Sequence, residues 1–281
     1  MTMNVSRRNF LAASLGVAAT SVLAGCGSSS QSSSNTSAAS DSKSDGKADL
    51  KLVEDGKLTV AAELGFAPFE YMDEKTGEPV GFDVDVIGAV AEKMGLEASY
   101  LPNQKFDTLV PMIKQGGKAD VSIAAITITD EREESVDFSD PYLDSNQAIV
   151  VKKDSGENET SLNDASKKVV CQTGTTGDEW ISENLPSAER TPLDDVTPAL
   201  TGVSTGTYAA MVVDLPVAKY MLSQSFSDLE IVKEIPTGEQ YGIAVSKDNH
   251  DLLDAVNKAL KDMDTDGTMA QIQTKWFGSE L

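Results

Sequence analysis

From Lys57 onward, strand-like and helix-like segments alternate, and the alternation later restarts. Residues 58–62 form a short apolar run of strand length. Residues 82–94 carry Val84, Val86, Ile87, Val90 and Ala91 at helical spacing. A second strand is expected over 98–101, a helix over 106–113 and a third strand over 119–125. Such alternation predicts βαβ units and a mostly parallel sheet. The pattern then begins again. Strands are expected at 147–152 and 168–172, then a Thr- and Gly-rich turn and a helix from about Asp178. A buried strand over 209–213 ends at Asp214, and a helix follows over 216–222. After an apolar return strand at 240–245 come two amphipathic helices, 248–263 and 268–276. The restart favours two α/β lobes; one large sheet is the alternative that the pattern leaves open.

The N-terminus does not belong to this scheme. Ser6-Arg7-Arg8-Asn9-Phe10-Leu11 leads into an apolar stretch, 11–23, and then Leu23-Ala24-Gly25-Cys26. A charged segment, an apolar segment and small residues in that order make an export signal. The apolar stretch is too short for a good spanning helix. The arginine pair resembles a twin-arginine signal, and Leu-Ala-Gly-Cys resembles a lipobox. Residues 1–25 are therefore expected to be a signal peptide, and Cys26 a lipidated new terminus held by two acyl chains. Residues 26–54 are Ser-rich and expected to be a flexible tether. The product is expected outside the cytoplasm, on the cell membrane. Lipidation of Cys26 leaves Cys171 without a disulfide partner, so it is expected to be a buried, inert thiol. The single histidine, His250, and the lack of clustered Cys and His give no metal site.

The formal net charge is -22 among 281 residues. So acidic a chain is a poor match for nucleic acid, whose phosphates need clustered Lys and Arg. The balance favours solubility and says little about fold.

In open α/β sheets, ligands sit beyond the carboxyl ends of strands. Four polar or Gly-rich segments fall there: Glu63-Leu64-Gly65-Phe66, Thr127 to Arg132, Thr173-Gly174-Thr175-Thr176-Gly177, and Asp214. Two belong to each expected lobe, so a cleft between lobes would bring them together. Within the second segment, Thr129 suits an N-cap and Asp130 and Glu131 suit a first helical turn. Arg132 does not, because a cation opposes the macrodipole there. Either Arg132 pairs with Glu131 or Glu134 as an ordinary surface residue, or it awaits an anion that its guanidinium can grip twice. Together the segments suit a zwitterion: Arg132 and hydroxyls for a carboxylate, an acid for an ammonium, an aromatic for the apolar body.

These residues also carry a resemblance. Pro68-Phe69-Glu70, Gly81-Phe82-Asp83-Val84-Asp85, Phe106-Asp107-Thr108-Leu109-Val110-Pro111, Thr127 to Arg132, Phe138-Ser139-Asp140-Pro141-Tyr142, Asp214 and Trp276-Phe277-Gly278 stand in order along 58–281. In that ordered set the chain resembles the family 3 extracytoplasmic solute-binding proteins of polar amino acid ABC transporters. The resemblance implies an α/β, two-lobed, periplasmic-binding-protein-like (type II) fold, with two hinge strands and the ligand cleft between the lobes. Lobe one would comprise 55–143 plus 240–281, and lobe two 144–239. Hinge closure on the ligand would be the working motion.

The resemblance also implies roles. Arg132 would bind the ligand α-carboxylate, helped by the Thr127 hydroxyl and by Thr176 of the opposite lobe. Backbone groups at Ala125 would contact the ligand's α-substituents, and Asp214 would pair with the α-ammonium. Phe66 and Phe106 would flank the aliphatic part. Glu63 and the Thr173 turn would face the side chain, and an acid at Glu63 would suit Lys, Arg, His or cystine. Glutamine-binding members place a lysine and a histidine where this chain has Thr173 and Val213, which speaks against glutamine. Trp276-Phe277 and Gly81 to Asp85 are expected to support the first lobe. No cofactor and no catalysis are implied. The expected partners are a free amino acid, ABC permease subunits and, through the lipid, the membrane, with the protein a monomer. Two other functions on this fold are a dehydratase-type enzyme, for which only Glu63 offers a proton, and a ligand-sensing module for a membrane receptor.

Overall fold

The computed structural model describes residues 50–279. The leader, Cys26 and most of the expected tether lie outside the described residues. The first lobe opens with β1 (Lys57–Ala61), whose burial is nearly continuous. Three short strands follow, β2 (Gly65–Phe66), β3 (Glu70–Met72) and β4 (Pro79–Val80), which pair antiparallel as a small separate sheet. Next come α1 (Phe82–Met94), β5 (Glu97–Tyr100), α2 (Phe106–Gln115), β6 (Val121–Ser122), the single turn α3 (Asp130–Glu133) and β7 (Asp137–Phe138).

The chain then crosses to a second sheet. It enters on β8 (Leu143–Lys152) and continues through α4 (Glu159–Leu162), β9 (Lys168–Gln172), α5 (Thr176–Asn184), β10 (Glu189–Leu193) and α6 (Val196–Ser204). After β11 (Ala210–Asp214) and α7 (Leu215–Gln224), the long β12 (Leu229–Tyr241) leads back to β13 (Ala244–Val245) in the first sheet. The helices α8 (His250–Asp266) and α9 (Thr268–Phe277) finish the fold.

The first sheet has the order β5-β1-β6-β13-β7, and the second β10-β9-β11-β8-β12. In each, the three strands from one edge to the middle pair parallel, and the two remaining pairings, toward the crossover, are antiparallel. β8 and β12 pair from Leu143↔Tyr241 to Lys152↔Leu229, so the two connections between lobes lie side by side. An isolated bridge, Thr127↔Tyr241, ties the end of β12 to the first lobe.

Both faces of each sheet are covered. On β8, Ala148 and Val150 join the core shared with α6 and α7, while Ile149 and Val151 join a second core with Ile181 of α5. This is the period-2 alternation of a strand between two helical layers. Each fully buried Val, Leu or Ile contributes roughly 1.5–3 kcal/mol. In the first lobe α2 packs Leu109 and Ile113 with Ala61 and Ile126, opposite the layer containing Val86, Val90, Leu252 and Val256.

Two departures from expectation have local causes. The strand expected over 119–125 pairs only at Val121–Ser122. Beyond it Ala125 takes φ 46, which turns the chain out of the ladder. The tether expected to run to residue 54 is ordered earlier. Leu50 and Leu52 pack on the core, and the Val53 amide donates to Asp120 Oδ1 at 2.8 Å.

Candidate functional site

Thr129 caps α3 as expected, accepting from the Arg132 amide at 3.3 Å. A helix of four residues has almost no macrodipole, so the conflict over Arg132 is smaller than the sequence suggests. Among the described residues the guanidinium makes no direct ion pair with Glu131 or Glu134, and Glu131 acts on it only through its charge. Its Nη1 donates to the Thr127 carbonyl at 2.7 Å and its Nη2 to the Gly174 carbonyl of the second lobe at 3.1 Å. Its Cζ stands 5.4 Å from the centre of the Phe106 ring, within cation–π range. Burial lowers its pKa, and Glu179, Asp214, Glu239 and Glu131 oppose that shift. An arginine remains charged regardless.

Asp214 faces it from the C-terminal end of β11. Its position before α7 allows a capping role, yet its carboxylate makes no cap bond. Instead Oδ1 accepts from Gln147 Nε2 at 2.6 Å, and Oδ2 accepts from the Tyr241 hydroxyl. Glu239 lies alongside, its Oε2 accepting from Thr127 Oγ1 of the first lobe at 3.1 Å. Gln147 Nε2 also faces Glu239 Oε2 at 3.1 Å and Thr176 Oγ1 at 3.2 Å. Two amide hydrogens thus meet three acceptors. Burial, then Glu239, pushes Asp214 up to about 7 against Tyr241, Gln147 and Arg132.

Glu63, at the end of β1, is 2 % exposed. Its Oε2 accepts from Gln172 Nε2 of the second lobe at 2.9 Å, and its Oε1 has no partner among the described residues. Burial pushes it up to about 7, opposed by the Gln172 hydrogen bond.

Seven of the nine expected ligand residues surround one small cavity between the lobes: Phe66, Phe106, Ala125, Thr127, Arg132, Thr176 and Asp214. Thr175, part of the turn expected at this cleft but given no role of its own, lines it too. Glu63 stands outside this lining, tied to Gln172. Thr173 does not line it either. Its hydroxyl donates to the Leu193 carbonyl at 3.1 Å, because parallel pairing with β10 draws this residue to the strand side of the turn. The lobes come close at this turn: a Cβ built on Gly174 would lie 3.2 Å from Asp107 Cβ. Gln147, Gln172 and Glu239 were missed; the available signal is a polar residue at an inward position of a strand. Ala125 is held at positive φ, which costs an L-residue roughly 1–2 kcal/mol.

The remaining residues fall elsewhere. Cys171 is fully buried against Ile181, its thiol donating to Asp178 Oδ1 at 3.2 Å and pushed upward by burial. Phe277 packs 5.0 Å from Phe82 and 5.9 Å from Phe69 by ring centres. No group of three or more metal-ligating side chains occurs among the described residues. Cys26 lies outside them.

The chain matches the profile of the bacterial extracellular solute-binding proteins, family 3, over residues 58–279. It is 33% identical over 232 residues to the L-cystine-binding protein TcyJ of Escherichia coli K12, covering 82% of this chain and 86% of that one. It is 30% identical over 273 residues to the ABC transporter glutamine-binding protein GlnH of Bacillus subtilis 168, covering 96% and 97%. Among solved structures, an ancestral arginine-binding protein bound to arginine superposes with TM-score 0.74 at 40% identity, over 79% of this chain and 98% of that one. With a two-lobed fold, a polar cleft at the strand ends and these matches, the chain belongs to the bacterial extracellular solute-binding proteins, family 3.

Proposed function

We propose that this protein captures a polar or basic L-amino acid, or cystine, outside the membrane and delivers it to an ABC transporter permease by hinge closure. The observation that carries the reading is an arginine and a buried aspartate converging on one cavity from opposite lobes. Arg132 takes the α-carboxylate, a stronger acceptor than the Gly174 carbonyl that Nη2 now meets. Asp214, with Glu239 beside it, takes the α-ammonium. Phe66 and Phe106 flank the aliphatic part, and the Ala125 backbone and the hydroxyls of Thr127 and Thr176 complete the α-group contacts.

Glu63 accounts for the side chain. Its unpaired Oε1 and its raised pKa describe a buried acid lacking a cation. Asp214 and Glu239 already act on Arg132, and Glu63 adds a further acid bound to Gln172 outside the cavity lining, so a ligand carrying two positive groups balances these acids better than glutamine does. The relatives' names include cystine, arginine and histidine binding, and also glutamine binding, so the preference rests on Glu63 and not on the names. Cys26 is the proposed lipid anchor and 26–54 the proposed tether, ending nearer residue 50.

The test is a thermal-shift screen of the mature protein against the common L-amino acids and cystine. Saturable stabilisation by L-arginine, L-lysine or cystine, with no consumption of ligand, is the expected result. Turnover of a prephenate-like compound would instead make it an enzyme.

A further inference from the structure

Two motifs have no part in the proposed ligand contacts: Pro68-Phe69-Glu70 and Gly81-Phe82-Asp83. The fold presses them together. The Phe82 and Asp83 amides donate to the Pro68 and Phe69 carbonyls at 2.9 and 2.8 Å. Gly81, at φ 142, permits that approach, since a Cβ there would lie 1.9 Å from the Phe69 carbonyl oxygen. The result places the carboxyls of Glu70 and Asp83 within hydrogen-bonding reach of each other, both side chains buried.

Their hydrogen bonds are lopsided. Asp83 Oδ2 accepts from the Ala125 amide at 2.7 Å and from the Tyr142 hydroxyl at 2.9 Å. Asp83 Oδ1 and both Glu70 oxygens receive no donor from the described residues. The charged groups that face Glu70 are Asp83, Glu63 and Asp214, all acids, and Tyr100 and Tyr142 feel its charge. Two buried carboxylates in contact, without a cation, cannot both stay ionised. One proton between Glu70 and Asp83 Oδ1 would satisfy both. Burial, then Asp83, holds Glu70 well above the usual carboxylate range.

We propose that Glu70 and Asp83 form a buried acid–carboxylate pair sharing one proton, and that this pair positions the ligand-contacting backbone at Ala125 and the hinge residue Tyr142. Asp83 holds Ala125 at its positive φ, on the cavity wall. It also fixes Tyr142, whose amide donates to the Tyr241 carbonyl at 3.0 Å beside the start of β8. Glu70 pairs with the cavity residue Phe66 only as a strand neighbour, and its carboxyl, which is not part of the cavity lining, acts through Asp83. The link to ligand rests on the amino-acid-binding reading above; the shared proton does not.

The test combines three readouts on wild type, Glu70→Gln, Glu70→Ala and Asp83→Asn. At about pH 9, where free carboxyls and groups titrating near 7 are ionised, wild type should retain the infrared carbonyl stretch of a protonated carboxyl. Glu70→Gln should lose that band, because the protonated carboxyl is gone, whereas Asp83→Asn should keep it at a shifted frequency, because burial still holds Glu70 neutral and its proton now faces an amide oxygen. The Ala125 amide resonance of wild type should move as alkaline pH removes the proton, whereas that of Glu70→Gln should stay fixed. Binding of L-arginine should weaken by about tenfold or more in Glu70→Ala but by no more than about threefold in Glu70→Gln, where a donor to Asp83 survives. A wild type without the band, or an Ala125 resonance with the same pH profile in wild type and Glu70→Gln, overturns the proposal. If wild type binds no amino acid, the functional reading fails, and the infrared and resonance measurements still decide the pair.

Discussion

Single residues divide the labour in this cleft, and Glu63 is the most exposed to experiment. Asp214 has Gln147 and Tyr241 as donors, while Glu63 has one donor and an orphan oxygen. A ligand cation is the natural complement. Glu63→Gln keeps the size and the contact with Gln172 but removes the charge. Titration calorimetry should show L-arginine weakened by about tenfold to a hundredfold, as expected for losing one partner of a desolvated charge pair, and L-glutamine changed little. Equal weakening of both ligands would remove Glu63 from the side-chain subsite. By contrast, Lys105–Asp194 also spans the lobes, but both side chains are about half exposed or more, so it adds at most about 1 kcal/mol to closure.

At the scale of elements, legibility depended on how many signals a segment carries. α1 has its apolar residues at helical spacing and a Gly95 C-cap in the left-handed conformation, so its bounds were readable to the residue. β10 and α6 left little trace. β10 is an edge strand with exposed Glu189 and Arg190 and an internal Pro192, and α6 carries Thr, Pro and Gly in place of strong helix formers. The site divided the same way. Arg132 stood out because its charge conflicted with its position, and Asp214 because it ends a buried strand. Gln147 and Glu239 are inward polar residues on strands, and a strand register cannot be read until its partner is known. β12 adds a register shift between Ile235 and Glu239, which makes the face of Glu239 unreadable from alternation alone. The approach of β3 to the start of α1 yields an element-level prediction. Gly81→Ala should destabilise the protein by at least about 3 kcal/mol, or prevent folding, because the new Cβ meets backbone rather than a movable side chain. Urea unfolding followed by circular dichroism measures this; an unchanged midpoint would mean that the motif tolerates separation.

The whole molecule stores acids that prefer to be neutral. Burial raises Glu63 and Asp214 to about 7 and Asp83 to about 6, and Glu70 rises further. In the unfolded chain these groups titrate near 4. The native state therefore holds protons that the unfolded state has released, and stability falls as pH rises from about 4 through about 7. The net charge of -22 adds self-repulsion in the same direction. The ligand-free protein should melt at a higher temperature near pH 5 than near pH 8. A cationic ligand neutralises the cleft only when its acids are ionised, so the stabilisation by L-arginine should grow over the same interval. A ligand-free melting temperature that rises from pH 5 to pH 8 would contradict this distribution of charge.

Arg132 and Asp214 are proposed to hold the two ends of an α-amino acid between the lobes. Calorimetric titration of L-arginine into wild type and Arg132→Ala, with melting temperatures recorded in parallel, tests this most directly. Saturable one-to-one binding by wild type, abolished in an Arg132→Ala protein that still melts cooperatively, is the predicted result. Undiminished affinity in Arg132→Ala would place the ligand carboxylate elsewhere and contradict the account.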